Sequence, residues 1–259
     1  MSETQPKQAE AIKTKVNKLS DQQIIDNILT NMPSSDQVPV ELPSKNKFYS
    51  LQDPSKPVSL RPMTFEDERS MMSNKNINVD VLNNLLSRCL SNISVEQLLQ
   101  MDKLFLIMKL REISYGDQYT AQISCAGCRR DNNIEFNLSK LQVHYIDESM
   151  TNPLTVHLPI LDKTIKVRLP RVKDETYFSN TDSALSNLWR FVEDIEGHTQ
   201  KSIISKIIPK LPLKDAHALL HALGTNDYGL DTKVRFVCNY CSHNEVMELP
   251  ITSDFFTGK

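Results

Sequence analysis

Four cysteines in two matching pairs are the residues best placed to do chemistry. Cys125 and Cys128 stand in Ser124-Cys125-Ala126-Gly127-Cys128-Arg129, and Cys238 and Cys241 in Val237-Cys238-Asn239-Tyr240-Cys241-Ser242. Two residues between cysteines let both sulfurs of one turn reach one metal. Four thiolates complete a tetrahedron, so Cys125, Cys128, Cys238 and Cys241 are predicted to hold a structural Zn²⁺. Such a site has no vacancy for substrate or water. His243, close behind Cys241, could replace one cysteine. Two other chemistries use the same residues. A thioredoxin-like redox pair needs a βαβ context and a helix N-terminus, whereas both pairs here interrupt strand-like runs. A nucleic-acid-binding ribbon would use Arg129 and Arg130, but Ser242-His243-Asn244-Glu245 after the second pair brings no Lys or Arg.

The flanking sequence supplies the elements that must position the cysteines. Residues 118–124 alternate, with Tyr119, Ala121 and Ile123 on one face, and 133–138 read as the returning strand. Residues 232–238 and 245–250 repeat that plan around the second pair. A further hairpin spans 155–158 and 165–169. Thr64 is a predicted N-cap with Asp67 at the capping-box position, and Ser94 with Gln97 has the same signature. Helices are expected over 78–90 and 101–113, the latter largely buried. Leu185, Leu188, Trp189, Val192 and Ile195 fall at helical spacing within 183–195, and 213–224 ends on Gly224. His217 and His221 lie at i, i+4 without the intervening Glu of a zinc hydrolase, which reads as surface or capping histidines. Cys89 reads as a small core residue.

The predicted fold is α+β: several helices plus β-hairpins, two of which end in zinc-ribbon-like C-x₂-C knuckles that meet in space. Residues 1–36 form a flexible extension with a short helix. Residues 37–259 form one discontinuous domain, made of an arm (38–63), helices (64–113), a knuckle hairpin (118–138), a hairpin (153–169), helices (174–224) and a second knuckle hairpin (232–250).

Composition bounds the function. The chain has 259 residues, a formal net charge of −2 and only 6 Gly. That balance argues against nucleic acid as the partner. No P-loop, G-x-G-x-x-G or G-x-S-x-G is present, and the expectation is that the protein is not an enzyme. There is no apolar run of membrane-span length and no apolar h-region near the N-terminus, so the protein is read as intracellular. Paired cysteines in a reducing compartment then favour metal over disulfides.

The order of landmarks resembles the baseplate hub assembly family of T-even-type contractile-tail phages. The similar features are Val40-Glu41-Leu42-Pro43-Ser44-Lys45 ending in Phe48-Tyr49, Val58-Ser59-Leu60-Arg61-Pro62-Met63-Thr64, and Leu110-Arg111-Glu112-Ile113-Ser114-Tyr115-Gly116-Asp117-Gln118-Tyr119 before the first knuckle. Glu248-Leu249-Pro250-Ile251 and Asp254-Phe255-Phe256 follow the second. The match covers about 38–256. Asn46 stands where the family usually has Gly, and Ala126 where it usually has Pro. The resemblance implies a non-enzymatic chaperone for baseplate hub assembly, or a hub subunit retained in the virion. Its partners would be hub or tail proteins, with a homo-oligomer left open. Its place would be the host cytoplasm during assembly, or the virion baseplate. Candidate contact residues are Leu42, Pro43, Phe48 and Tyr49 in the arm, Ile24 and Ile28 in the N-terminal helix, and Phe255 and Phe256 in the tail. Self-packing is favoured for the last two.

Overall fold

The computed structural model describes residues 20–30, 37–73, 79–178, 185–224, 228–251 and 253–256. The chain divides into two units, Met1–Ser35 and Asp36–Lys259. In the first, α1 (Asp21–Thr30) starts at a reciprocal cap: the Gln23 amide donates to Ser20 Oγ, and the Ser20 amide donates to the Gln23 side chain. Ile24, Ile25 and Ile28 on this helix are exposed.

The second unit opens with β1 (Val38–Pro39) and β2 (Ser59–Leu60), followed by α2 (Phe65–Met72) and α3 (Val79–Cys89). β3 (Leu90–Ser91) returns beside β2, completing an antiparallel β1-β2-β3 sheet. The Thr64–Asp67 capping box at α2 forms as expected. Ser94 and Gln97 do not form one: Val95–Gln97 is a single 3₁₀ turn without a side-chain cap. Helix α4 (Gln100–Tyr115) follows, then β4 (Gln118–Ser124) and β5 (Asp131–Asn137), an antiparallel hairpin with the first C-x₂-C at its tip. Residues facing inward from β4 alternate with exposed ones, as the sequence pattern requires.

After β6 (Val143–His144) the plan begins again. β7 (Leu154–Leu158) pairs with β8 (Lys163–Val167), which pairs with β9 (Val192–Ile195). Here the expectation of a helix over 183–195 is corrected. Residues 179–184 lie outside the described residues; 185–187 are helical as expected, but Leu188–Arg190 make one 3₁₀ turn and Val192–Ile195 are a strand. Pairing with the open edge of β8 overrides the helical spacing, and β-branched Val192 and Ile195 suit it. The helix expected from Asp174 is likewise a 3₁₀ segment, Val172–Phe178. Helices α5 (Lys201–Ile207) and α6 (Leu213–Gly224) then lead through β10 (Gly229–Leu230) to the hairpin of β11 (Lys233–Val237) and β12 (Asn244–Glu248), which carries the second C-x₂-C.

The stretch from β7 through the second knuckle is therefore a second copy of one plan: three antiparallel strands, a helix, and a knuckle hairpin. Residues 95–134 and 208–247 align without a gap, 113 positions apart. Leu98, Asp102, Leu106, Leu110, Tyr115, Gly116, Cys125 and Cys128 meet Leu211, Asp215, Leu219, Leu223, Tyr228, Gly229, Cys238 and Cys241. The 3₁₀ turns Val95–Gln97 and Ile208–Lys210 keep that spacing, as do the hairpin pairs Ala121↔Ile134 and Val234↔Met247. Upstream, each half carries an Arg–Asp clamp just after its second strand. Arg61 binds Asp67 at 2.6 Å and Arg168 binds Asp174 at 2.7 Å. The Arg61 and Arg168 amides donate to Cys89 and Phe191, the residues just before the third strand of each sheet.

Two main cores result. One gathers Leu42, Leu60, Leu86, Leu106, Tyr119 and Phe236, so it includes both knuckle hairpins. The other gathers Val156, Val167, Phe191, Ile204 and Leu219 in the second half. The segment after each hairpin lands on the opposite half. β6 pairs with β10, and the turn Ser253–Phe256 packs on α4 and β4.

Candidate metal centre

Each knuckle is built by the same backbone device. In the first, the Cys125 amide donates to the Arg130 carbonyl and the Arg129 amide to the Cys125 carbonyl. In the second, Cys238 donates to His243 and Ser242 to Cys238. Arg129 and Ser242 take φ of 59° and 58°, closing the turn so that both sulfurs face the same way. The Gly127 amide lies 3.3 Å from Cys125 Sγ, and the Tyr240 amide 3.4 Å from Cys238 Sγ. These donors spread thiolate charge into the backbone.

The two knuckles bring Cys125, Cys128, Cys238 and Cys241 together, with all four sulfurs within 4.8 Å of one another. Cys125 Sγ is 3.7 Å from Cys241 Sγ, and Cys128 Sγ is 3.7 Å from Cys238 Sγ. A tetrahedral ion with metal–sulfur bonds of about 2.3 Å needs sulfurs about 3.8 Å apart. The donor set and its spacing therefore fit one metal ion held by four sulfurs. Cys125 and Cys238 are buried, Cys128 is half-buried and Cys241 is exposed. For Cys238, burial opposes charge, but hydrogen bonds from the Tyr240 and Cys241 amides and from the Cys125 and Cys128 thiols together hold the thiol down at about 6. His243 is not among the clustered ligands, and among the described residues His217 and His221 join no metal-ligand group. Each C-x₂-C sits in an antiparallel hairpin turn and not at a helix N-terminus, so the thioredoxin-like arrangement is absent from both.

One brace at the centre has no cysteine signature. Asn132 is buried; its Nδ2 donates to the Arg130 carbonyl at 3.0 Å, and its Oδ1 accepts the Asn239 amide at 2.8 Å. It thus fastens one knuckle to the other. Arg130 lies over the Tyr240 ring at 5.1 Å, a second contact across the same joint.

The candidate contact residues separate into two groups. Ile24 and Ile28 are exposed. Phe255 and Phe256 are buried: Phe255 packs edge-on against Tyr119 at 4.9 Å and against Phe256 at 5.0 Å. Each buried ring contributes roughly 1.5–3 kcal/mol, which explains why they close the core and do not reach outward. The arm also packs against its own domain. Leu42 and Pro43 are buried, Phe48 and Tyr49 half-buried. The Tyr49 hydroxyl donates to buried Asp102 and accepts the Leu99 amide at 2.7 Å. Ser44 N–H also donates to Asp102, at 3.0 Å. Burial raises the Asp102 carboxyl above its usual range despite these donors. The arm is thus tied to the start of α4. Sequence reasoning passed over Asp102, Asp215 and Asn132. The signal that finds the first two is the 113-residue spacing they share with the cysteines.

Among the described residues no helix is long and apolar enough to cross a membrane. Comparison with curated proteins and with solved structures finds no significant match. A scan against protein families matches residues 32–257, which take in both copies of the repeated plan and both knuckles, to the T4 bacteriophage base plate proteins. The chain belongs to the T4 bacteriophage base plate protein family.

Proposed function

We propose that this protein is a non-enzymatic assembly factor, a chaperone, for the phage baseplate hub, acting by protein–protein binding with a structural Zn²⁺ at its cysteine quartet. The observation that carries the reading is the closure of the centre. Four protein sulfurs from two braced knuckles fill a tetrahedron, so a metal there has no position left for a substrate. An ion held this way contributes to folding, and function falls to the surfaces it holds in place. In the other unit, the exposed apolar face of α1, with Ile24, Ile25 and Ile28, is a second candidate contact surface. The partners are hub or tail proteins, met in the host cytoplasm while the tail is built.

The test is a tagged full-length chain expressed during infection, with both the soluble complexes and the finished particles analysed by quantitative mass spectrometry. Hub or tail proteins are expected in the complexes, and the chain is expected to be depleted from particles. Stoichiometric retention would overturn the chaperone reading in favour of a structural subunit. Complexes with no baseplate protein would overturn both.

A further inference from the structure

The two halves share a fold and differ at one corner, where the first turn of the long helix meets the connection between the first two strands. In the first half that corner is covered. Leu99 and Ser44 are buried, Tyr49 closes over Asp102, and the Ile146 amide donates to the Pro43 carbonyl at 2.9 Å, laying the chain after the first hairpin alongside. In the second half the same corner is less covered: Pro212, at the position of Leu99, is only half-buried. Asp215, matching Asp102, is fully buried, and its two oxygens accept the Ile160 amide at 2.7 Å and the Leu161 amide at 3.2 Å. The side chains of Ile160 and Leu161 are nevertheless 54% and 45% exposed. Leu213, on the same helical turn as Asp215, is 70% exposed.

We infer that this corner, Ile160, Leu161 and Leu213, is a docking site for an apolar segment of a baseplate partner protein. The inference rests on the protein-binding reading above and adds a surface and a chemistry to it. Surface turns are ordinarily polar. Here a buried carboxylate instead commits both oxygens to a turn that presents two aliphatic side chains, so the apolar tip is rigid before anything binds, which lowers the ordering cost of association. The first half indicates what kind of group covers such a corner: extended chain carrying Phe48, Tyr49 and Ile146. The second corner would not hold a tyrosine hydroxyl as the first does. Pro212 stands at the position of Leu99 and has no N–H, and Asp215 is fully buried beneath the Ile160–Leu161 turn. The anchor is therefore wholly aliphatic or a phenyl ring. Lys210 and Lys214, three residues before and one after Leu213 in the chain, are exposed and favour acidic residues beside that anchor. Asp162, on the turn side, faces His157 at 3.7 Å.

The test uses the full-length protein and the variant Ile160→Ser/Leu161→Ser, which keeps both amides that Asp215 accepts. The probe is baseplate intermediates purified from cells infected with phage lacking this chain, and binding is measured by co-sedimentation. The wild type is expected to bind, and the variant to bind about tenfold or more weakly with an unchanged melting temperature. Equal binding by the two would overturn this inference and leave the protein-binding reading standing. Failure of the wild type itself to bind would overturn both. Analytical ultracentrifugation of the protein alone supplies the remaining outcome: a dimer lost in the variant would assign the corner to a second copy and overturn a baseplate partner.

Discussion

The hydroxyl of Tyr119 donates to the carbonyl of Pro250 at 2.7 Å, joining the first knuckle hairpin to the chain that leaves the second, 131 residues away. Phe255 sits edge-on against the same ring. Tyr119→Phe keeps the ring contact and removes the donor. A cost of about 1 kcal/mol is expected, since a half-buried carbonyl loses its donor. Denaturant titration gives the magnitude, and hydrogen exchange should rise in the segment after Pro250 ahead of the rest of the core.

Removal of one sulfur from the quartet has a larger effect. Metal binding to such a site carries roughly 10–16 kcal/mol, comparable with the whole stability of a domain, about 5–15 kcal/mol. Cys125→Ser and Cys238→Ser are therefore expected to unfold or aggregate, and a strong chelator should do the same to the wild type. Elemental analysis should find one metal per wild-type chain. A Cys238→Ser protein that melts like the wild type and carries no metal would refute the structural role.

Asp67 gives a pH dependence with a definite sign. Burial alone would raise its carboxyl, but hydrogen bonds from Arg61 and Thr64 overcome that and hold it at about 2. Arg88 adds a further contact at 3.4 Å. The folded value lies below the unfolded one of about 3.9. The stabilisation is thus complete above that value and is lost as pH falls from about 4 through about 2. Asp67→Asn is expected to cost about 2–3 kcal/mol at neutral pH and to flatten this acid limb. Stability measured from pH 2 to 5 in both proteins checks the sign; parallel curves would refute it.

The paired glycines Gly116 and Gly229 separate backbone strain from crowding. Both have positive φ, +89° and +120°. A Cβ on Gly116 would meet nothing within 4 Å, whereas one on Gly229 would lie 3.0 Å from the Met101 sulfur. Alanine at either should cost about 1–3 kcal/mol through strain. Gly229→Ala should lose more, because Met101 must also move, and thermal melting of the two variants gives the order.

Ile24 and Ile28 are exposed on α1, so Ile24→Ser/Ile28→Ser should leave the melting temperature within about a degree, since exposed substitutions rarely exceed ±0.5 kcal/mol. Under the proposed function it should weaken binding to baseplate intermediates. Unchanged binding would remove α1 from the contact surface.

Much of this molecule was legible without coordinates, for a physical reason. Two residues between cysteines, period-two alternation in residues 118–124, and Thr64 three residues before Asp67 are local patterns. Each acts within one turn or one strand, so the sequence by itself determined the knuckles, their hairpins and the capped helix. The third strand of the second sheet was not local: Val192–Ile195 have helical spacing and become a strand only because β8 offers an open edge. Nor was the placement of Phe255, Phe256 and the arm 42–49, whose apolar residues could as well have faced a partner. Tertiary packing decided that, through Tyr119 and Asp102. The repeat lies between these cases. Its 113-residue spacing is written in the chain, but only the matching backbone bonds and sheets make eight identities in forty positions a structural fact. What the fold alone determined is the difference between the halves. A buried aspartate stands at the same place in each, but Asp102 is closed by the Tyr49 hydroxyl, whereas among the described residues Asp215 is met by the Ile160 and Leu161 amides.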